Sequence, residues 1–331
     1  MNRREFIGAL SIVTASSSLT AHAEEVSRLR RIAVLMMYSD DDRLGHARLK
    51  AFEEGLEKLG WTDGGNVNIQ VRWCGADAER THRFAVELLA SHPDVIVTTS
   101  TPTTAAVKQE TRTTPTVFTV VADPIGQGFV QSLARPGGNI TGFANFEPSM
   151  AGKWLALLKE IDPRVVRAAG LFNPDAAPDG GSYFYRAFES AARNIAIAPF
   201  ATPVRSNSDI ESAISAVARE PGAGLVVMAD SFMAVHRATV IEQAAHHSVP
   251  AVYPFRSAVA EGGLFSYGPD VPELYRQVAP YVDRILRGAQ PSGLPVHAPT
   301  KFELIINLQT AKSLGLDVPP SLLTRADEVI E

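Results

Sequence analysis

Short apolar runs alternate with amphipathic segments along almost the whole chain, and this alternation restricts the fold more than any other feature. The segments between the runs have helical length and spacing, as where Leu49, Phe52 and Leu56 share one face. Strands of this length separated by helices predict βαβ units and a parallel sheet. The first set of predicted strands covers residues 31–37, 66–73, 94–99, 115–121 and 139–143.

The same rhythm then starts again. A second set of predicted strands covers residues 167–172, 197–204, 224–228, 250–253 and 263–267. A long helix at 271–288 and an extended segment at 295–307 remain, so we expect the chain to change lobes more than once. The predicted fold is α/β, with two doubly wound parallel-sheet lobes joined by a multi-strand hinge. Residues 31–145 plus 269–295 would form lobe 1, and 146–268 plus 296–331 lobe 2.

The first 23 residues have the order of an export signal: the pair Arg3 and Arg4, a mild apolar run, and an A-x-A site ending at Ala23. The arginine pair favours the twin-arginine route over the general secretory route. The alternative is an amphipathic N-terminus that is not cleaved. Cleavage after Ala23 would place the protein in the periplasm.

Composition excludes several classes of function. The net charge is −5 and no basic cluster is dense, so we expect no nucleic-acid partner. After the signal, no segment has the roughly 18 uninterrupted apolar residues of a membrane span. Cys74 is the single cysteine, so no internal disulfide can form, and its distance from the cleavage site argues against a lipid anchor there. We expect a monomer.

Signatures of catalysis and cofactor binding are missing. There is no P-loop and no G-x-S-x-G elbow, and Gly126-Gln127-Gly128 is followed by Gln131 where the dinucleotide fingerprint needs glycine. The adjacent pair His246 and His247 has no supporting ligand spacing, so we expect neither a metal nor a cofactor. The sequence predicts a protein that is not an enzyme.

Ligands of doubly wound sheets bind beyond the carboxyl ends of the strands, so the residues after each strand are the candidates. Hydroxyl groups are concentrated after the third strand, at the start of a helix, where free backbone N–H groups suit a carboxylate. Plain helix capping is the alternative explanation. The candidates after the first and third strands are Tyr38, Ser39, Ser100, Thr101, Thr103 and Thr104.

Asp123 follows the fourth strand and is a candidate partner for a ligand ammonium, although an Asp before Pro124 also suits a turn. Aromatic and polar residues follow the later strands and suggest a flat or apolar ligand body. These further candidates are Phe146, Asn173, Asp230, Tyr253 and Tyr267. A carboxylate anchor, an ammonium partner and aromatic walls together describe an amino acid.

Six segments spread over the chain resemble the substrate-binding proteins of ABC transporters, in the group that includes tryptophan- and tyrosine-type binding components. They are residues 100–106, 123–126, 137–142, 153–159, 262–268 and 284–288. The resemblance implies a type I periplasmic-binding fold with three crossings between the lobes and a cleft that closes on the ligand. It also places a carboxylate-binding loop at 100–104, although the family often has alanine at the positions of Thr103 and Thr104.

The leading interpretation is therefore a periplasmic solute receptor that holds a small-molecule ligand between its lobes and delivers it to an ABC transporter permease in the inner membrane. One alternative is a ligand-sensing subunit of a periplasmic signalling system. Another is a hydrolase or oxidoreductase on a doubly wound fold, which the missing motifs disfavour.

Overall fold

The computed structural model describes residues 29–331, and residues 30–144 of it hold a parallel sheet of five strands. Its strands are short apolar runs, which suits a sheet covered by helices on both faces. They are β1 (Arg30–Met36), β2 (Val67–Trp73), β3 (Val95–Thr98), β4 (Thr116–Val121) and β5 (Ile140–Ala144). The spatial order β2-β1-β3-β4-β5 reverses direction at β1, as in a doubly wound sheet.

A second sheet contains seven strands in the order β12-β11-β10-β9-β8-β6-β7. Its strands are β6 (Arg167–Phe172), β7 (Ala198–Pro203), β8 (Ala223–Val227), β9 (Ala251–Tyr253), β10 (Phe265–Gly268), β11 (Glu303–Asn307) and β12 (Glu328–Ile330). Each sheet with its helices forms one lobe, and we call the lobe of β1–β5 lobe 1 and the other lobe 2. The prediction of two doubly wound lobes is confirmed.

Helices cover both sheets. In lobe 1 they are α1 (Arg43–Lys58), α2 (Ala78–Ala90) and α3 (Thr101–Glu110). Lobe 2 has α4 (Met150–Ile161), α5 (Ser182–Asn194), α6 (Asn207–Ala218), α7 (Ser231–Val235), α8 (Arg237–His246) and α9 (Arg256–Ala260). The last three helices of the chain follow β10: α10 (Val271–Leu286), which packs on lobe 1, and then α11 (Leu308–Ser313) and α12 (Pro320–Arg325). No helix within residues 29–331 is long and apolar enough to cross a membrane.

The chain passes between the lobes three times: after β5, after β10 and before β11. After the second crossing, α10 packs on α1 of lobe 1, where Trp61 Nε1 donates to Asp283 Oδ1 at 2.8 Å. The first and third crossings run side by side, since the Ala144 N–H donates to the His297 carbonyl at 2.8 Å. Paired crossings of this kind form the multi-strand hinge. We propose that lobe 1 comprises residues 31–145 plus 269–295 and lobe 2 residues 146–268 plus 296–331. The predicted export signal lies outside the described residues.

The structure departs from the sequence prediction in lobe 2. Strands β10 and β11 are antiparallel, because the chain enters β11 from the hinge side. The short strand β12 and helix α12 were not predicted, since three residues such as Glu328–Ile330 carry too little pattern. After β8 the chain forms two separate helices, the short α7 and then α8, which begins at Arg237.

Gly142 allows β5 to lie close to β4 just before the first crossing. Its φ is +151°, and a Cβ there would lie 2.1 Å from the Phe118 carbonyl oxygen. Gly142→Ala should therefore lower the free energy of unfolding by about 3 kcal/mol or more, measured by urea denaturation. The control is Gly138→Ala, where a Cβ meets nothing within 4 Å and the cost should be small. Equal stabilities of the two variants would contradict this packing.

Candidate functional site

A small cavity lies between the lobes at the carboxyl ends of both sets of strands. We call it the cleft cavity; its walls include Met37, Arg48, Ser100, Thr101 and Asn145 from the lobe 1 side and Asp230, Ser231 and Phe255 from lobe 2. Its volume is about 20 Å³, enough for one water molecule. The lobes are therefore closed on each other, and any larger guest requires them to separate.

Arg48 is the most unusual side chain of this cavity. It is only 2% exposed, and its Nε and Nη1 atoms are buried without a hydrogen-bond partner. The guanidinium lies over the Tyr38 ring, 4.9 Å from its centroid, and 5.9 Å from that of Phe255. Burial lowers the pKa of Arg48 to about 10, so the group still carries its charge at neutral pH. A buried cation without an anion is costly, and a guanidinium with two unpaired N–H donors in the wall of a cavity suits a carboxylate.

Glu261 is an acidic side chain whose charge acts on Arg48, but a second arginine, Arg237, holds it. Arg237 of lobe 2 donates to Asp42 Oδ2 of lobe 1 at 2.9 Å and to Glu261 Oε1 at 2.8 Å. Asp42 also caps α1 by accepting from the Leu44 N–H at 2.8 Å. The Asp42–Arg237 pair joins the two lobes while its side chains are 10% and 15% exposed, so it belongs to the closed arrangement.

The hydroxyl-rich segment after β3 divides into structural and accessible groups. Ser100 and Thr103 form a capping box at the start of α3, and Thr104 Oγ1 donates to the Ser100 carbonyl at 2.8 Å. Thr103 and Thr104 are buried and do not line the cleft cavity, so their predicted role in anion binding is replaced by capping. Ser100 and Thr101 do line the cavity, on the same side as Arg48.

Asp230 faces Arg48 and Thr101 from lobe 2. It caps α7, and its two carboxylate oxygens accept the N–H groups of Met233 and Asn173 at 2.8 and 2.9 Å. Burial raises the pKa of Asp230 to about 7. The hydrogen bonds act in the opposite direction but are the smaller effect. Asn173 itself is a loop organiser: its Oδ1 accepts from the Asp175 and Ala176 N–H groups, and its side chain does not line the cavity.

Aromatic residues line a second small void beside the cleft cavity. Tyr38 and Tyr253 lie there with Phe255 and Arg237, and the Tyr38 hydroxyl has no hydrogen-bond partner. Burial raises the pKa of the Tyr253 phenol, which therefore stays protonated. Tyr38 was predicted as a ligand contact and does adjoin Arg48. Tyr253, also predicted, lines this second void but not the cleft cavity.

Four predicted residues lie elsewhere. Ser39 belongs to the turn before α1, where its carbonyl accepts the Asp42 N–H. Asp123 accepts the Gly126 N–H at 2.9 Å, which is the turn role, and lines a different cavity together with Phe146. Tyr267 lines a depression on the surface of lobe 2. Strand-end position alone did not distinguish these residues from those that enter the cleft cavity.

The sequence interpretation missed Arg48, Asn145 and Arg237. Arg48 had a signal, because it occupies the apolar stripe of α1 three and four residues before Ala51 and Phe52. A basic residue within such a stripe points to a buried charge. No sequence pattern indicated Asn145 or Arg237, since their positions depend on how the lobes close.

Comparison with known proteins gives consistent results. A family model described as "ABC transporter substrate binding protein" matches residues 31–330. The Tyrosine-binding protein of Clostridioides difficile is 25% identical over 267 residues, which cover 81% of this chain and 76% of that protein.

Two solved structures extend the comparison. A Streptococcus pneumonia ABC domain in complex with L-Trp is 25% identical, with a TM-score of 0.83 over 92% of this chain and all of the other. The ligand-free, open structure of a Clostridium difficile substrate binding protein with adhesive properties is 23% identical, with a TM-score of 0.64 over 91% of this chain and 99% of that one.

If Arg48 is kept for a ligand, its removal should stabilise the ligand-free protein. Arg48→Met replaces an unpaired buried charge by an apolar side chain of similar length, and we expect the free energy of unfolding to rise by about 1–2 kcal/mol. Urea denaturation of the ligand-free protein measures this. Arg43→Met, an exposed position on the same helix, is the control and should change stability by less than about 0.5 kcal/mol. A loss of stability in Arg48→Met would show that the arginine is structural.

Proposed function

The chain belongs to the family of ABC transporter substrate-binding proteins, and on that premise we propose that it is the solute-binding component of an importer. Its ligand would be a small carboxylate-bearing molecule of the amino-acid class, held between the two lobes. The observation that carries this proposal is the buried guanidinium of Arg48, which has two unpaired donors at the cleft cavity. The family is one of binding proteins, so binding and release rather than chemical conversion would be its activity.

The carboxylate would contact Arg48 together with the hydroxyls of Ser100 and Thr101. These groups lie on the same side of the cleft cavity, and all three can donate hydrogen bonds. A charged donor such as a guanidinium makes the stronger contacts and provides the countercharge. Thr103 and Thr104 make hydrogen bonds to Ser100, so they would support this arrangement only by holding the loop in place.

The ligand ammonium would contact Asp230 on lobe 2. Its oxygens accept backbone N–H groups, among them those of Asn173 and Met233, and a carboxylate has about four acceptor positions in all, so it can accept a further donor. A zwitterion placed in this way would bridge Arg48 of lobe 1 and Asp230 of lobe 2, and so favour closure. The rings of Tyr38 and Phe255 beside Arg48 suit a flat side chain, and the two named relatives bind tyrosine and L-Trp.

We propose that this structure represents the closed form. At similar identity and coverage, it superposes better on the L-Trp complex, with a TM-score of 0.83, than on the ligand-free, open structure, at 0.64. The buried Asp42–Arg237 pair across the lobes supports the same assignment. The site of action would be the periplasm, after cleavage at Ala23, with a permease of the inner membrane as the partner and the protein acting as a monomer.

Calorimetry with L-tryptophan and L-tyrosine tests the proposed anchor. Arg48→Met should weaken binding about 10- to 100-fold, the effect of losing hydrogen bonds to a charged group worth about 1.5–3 kcal/mol. L-Tryptophan amide, which lacks the carboxylate, should bind the wild type about as weakly as L-tryptophan binds the variant. Arg43→Met should leave the affinity unchanged. Undiminished binding of L-tryptophan by Arg48→Met, or full-strength binding of the amide, would contradict the assignment.

The pKa of Asp230 makes binding depend on pH. Its folded pKa of about 7 means that much of the carboxyl is protonated at pH 6, whereas an ammonium partner needs the carboxylate. Ligand binding should therefore release a proton, and affinity should rise severalfold between pH 6 and pH 8. Titration in buffers of different ionisation enthalpy detects the proton. In Asp230→Asn the pH dependence should disappear; an affinity of the wild type that is constant over this range would contradict the contact.

A further inference from the structure

A larger cavity lies beside the hinge, apart from the cleft cavity. We call it the hinge pocket, and its apolar walls are Ile125 and Leu133 of lobe 1, Phe146 and Phe302 of the crossings, and Met150 of lobe 2. Its volume is about 210 Å³, roughly ten times that of the cleft cavity. Of these two cavities, the hinge pocket is therefore the one that already has room for an organic molecule in the closed protein.

Apolar side chains are left exposed at the hinge pocket. Within residues 29–331, five large hydrophobic side chains are exposed to solvent. Two of them line this pocket: Ile125, 48% exposed, and Leu133, 36% exposed. Single exposed apolar residues are ordinary, but a pair at the mouth of an apolar cavity is typical of a ligand site. Phe146 and Phe302 lie 6.1 Å apart between ring centroids and form an aromatic wall.

The polar groups of the hinge pocket are acidic. Asp123 and Glu147 line it, and within the described chain its lining includes no lysine, arginine or histidine. The hydroxyl of Tyr183, also in the lining, donates to the Phe146 carbonyl. Burial first, and then the charges of Asp123 and Glu147, raise the pKa of Tyr183 to about 12. The pocket therefore favours a positive charge, the opposite of the cleft cavity with its Arg48.

Asn145 lies in the wall shared by the two cavities. It is 3% exposed, its Oδ1 accepts the Phe146 N–H at 2.8 Å, and its amide nitrogen donates to no group within residues 29–331. These donors are free for solvent or for a ligand as a partner. An aromatic face, to which an N–H group can donate weakly, would provide one.

We propose that the hinge pocket is a second ligand site, separate from the cleft cavity, for a small amine with an aromatic body. The ammonium would lie between Asp123 and Glu147, and the ring would pack against Phe146, Phe302 and Met150. Such a ligand is a cation without a carboxylate, so it has no group that could pair with Arg48 in the cleft cavity.

Calorimetry with 2-phenylethylamine and its uncharged analogue 2-phenylethanol tests the proposal. The amine should bind the wild type at least tenfold more tightly than the alcohol, and the double variant Asp123→Asn, Glu147→Gln should lose that preference. Asparagine tolerates the φ of +51° at position 123 and keeps an acceptor for Gly126, and Glu147 is exposed, so the variant should fold. Glu189→Gln, a half-buried carboxylate on α5 outside the pocket, is the matched control.

Methyl NMR of methionine locates the bound amine independently of the variants. Met150 lines the hinge pocket and Met37 lines the cleft cavity, so the amine should shift the Met150 signal and leave Met37 in place. Asp230→Asn, which alters only the cleft cavity, should retain amine binding. A shift at Met37 instead, binding lost in Asp230→Asn, or equal affinity for amine and alcohol would overturn the second site.

Discussion

The proposed ligand site depends on a buried arginine, Arg48, that forms no ion pair with an acidic side chain within residues 29–331. Removing a guanidinium from water costs several kcal/mol, and a protein normally recovers that free energy through a carboxylate partner. Arg48 has acids nearby, but Arg237 binds both Asp42 and Glu261. Arg237 is thus paired and Arg48 is not. Asp230, across the cleft cavity, accepts backbone N–H groups and forms no ion pair with Arg48 within the described residues, so an anionic group from outside can pair with Arg48.

The surrounding fold holds this charge in place. Arg48 projects from α1, which α10 fixes to lobe 1 after the second crossing, and the rings of Tyr38 and Phe255 flank its guanidinium. Phe255 belongs to lobe 2, so the pocket around Arg48 is complete only when the lobes close. If the ligand binds Arg48 as proposed, affinity and closure would be coupled through the same side chains.

The sequence predicted the architecture well and the site in part. Alternating apolar runs are a local signal, and they gave both sets of strands up to β10, whereas β12 is too short to show a pattern. Of the hydroxyl-bearing residues predicted at 100–104, Ser100 and Thr101 line the cleft cavity, but the pattern could not separate Thr101 from Thr103, which serves the capping box. Asp123 and Phe146 follow strands β4 and β5 and yet line the hinge pocket, because side-chain direction at a strand end depends on the turn or crossing that follows.

A crystal structure of the protein with a bound aromatic amino acid tests the central claim most directly. The account predicts a carboxylate oxygen of the ligand within hydrogen-bond distance of Arg48 Nε or Nη1, between lobes arranged as they are here. A bound ligand whose carboxylate lies elsewhere while both nitrogens of Arg48 remain unpaired would contradict it.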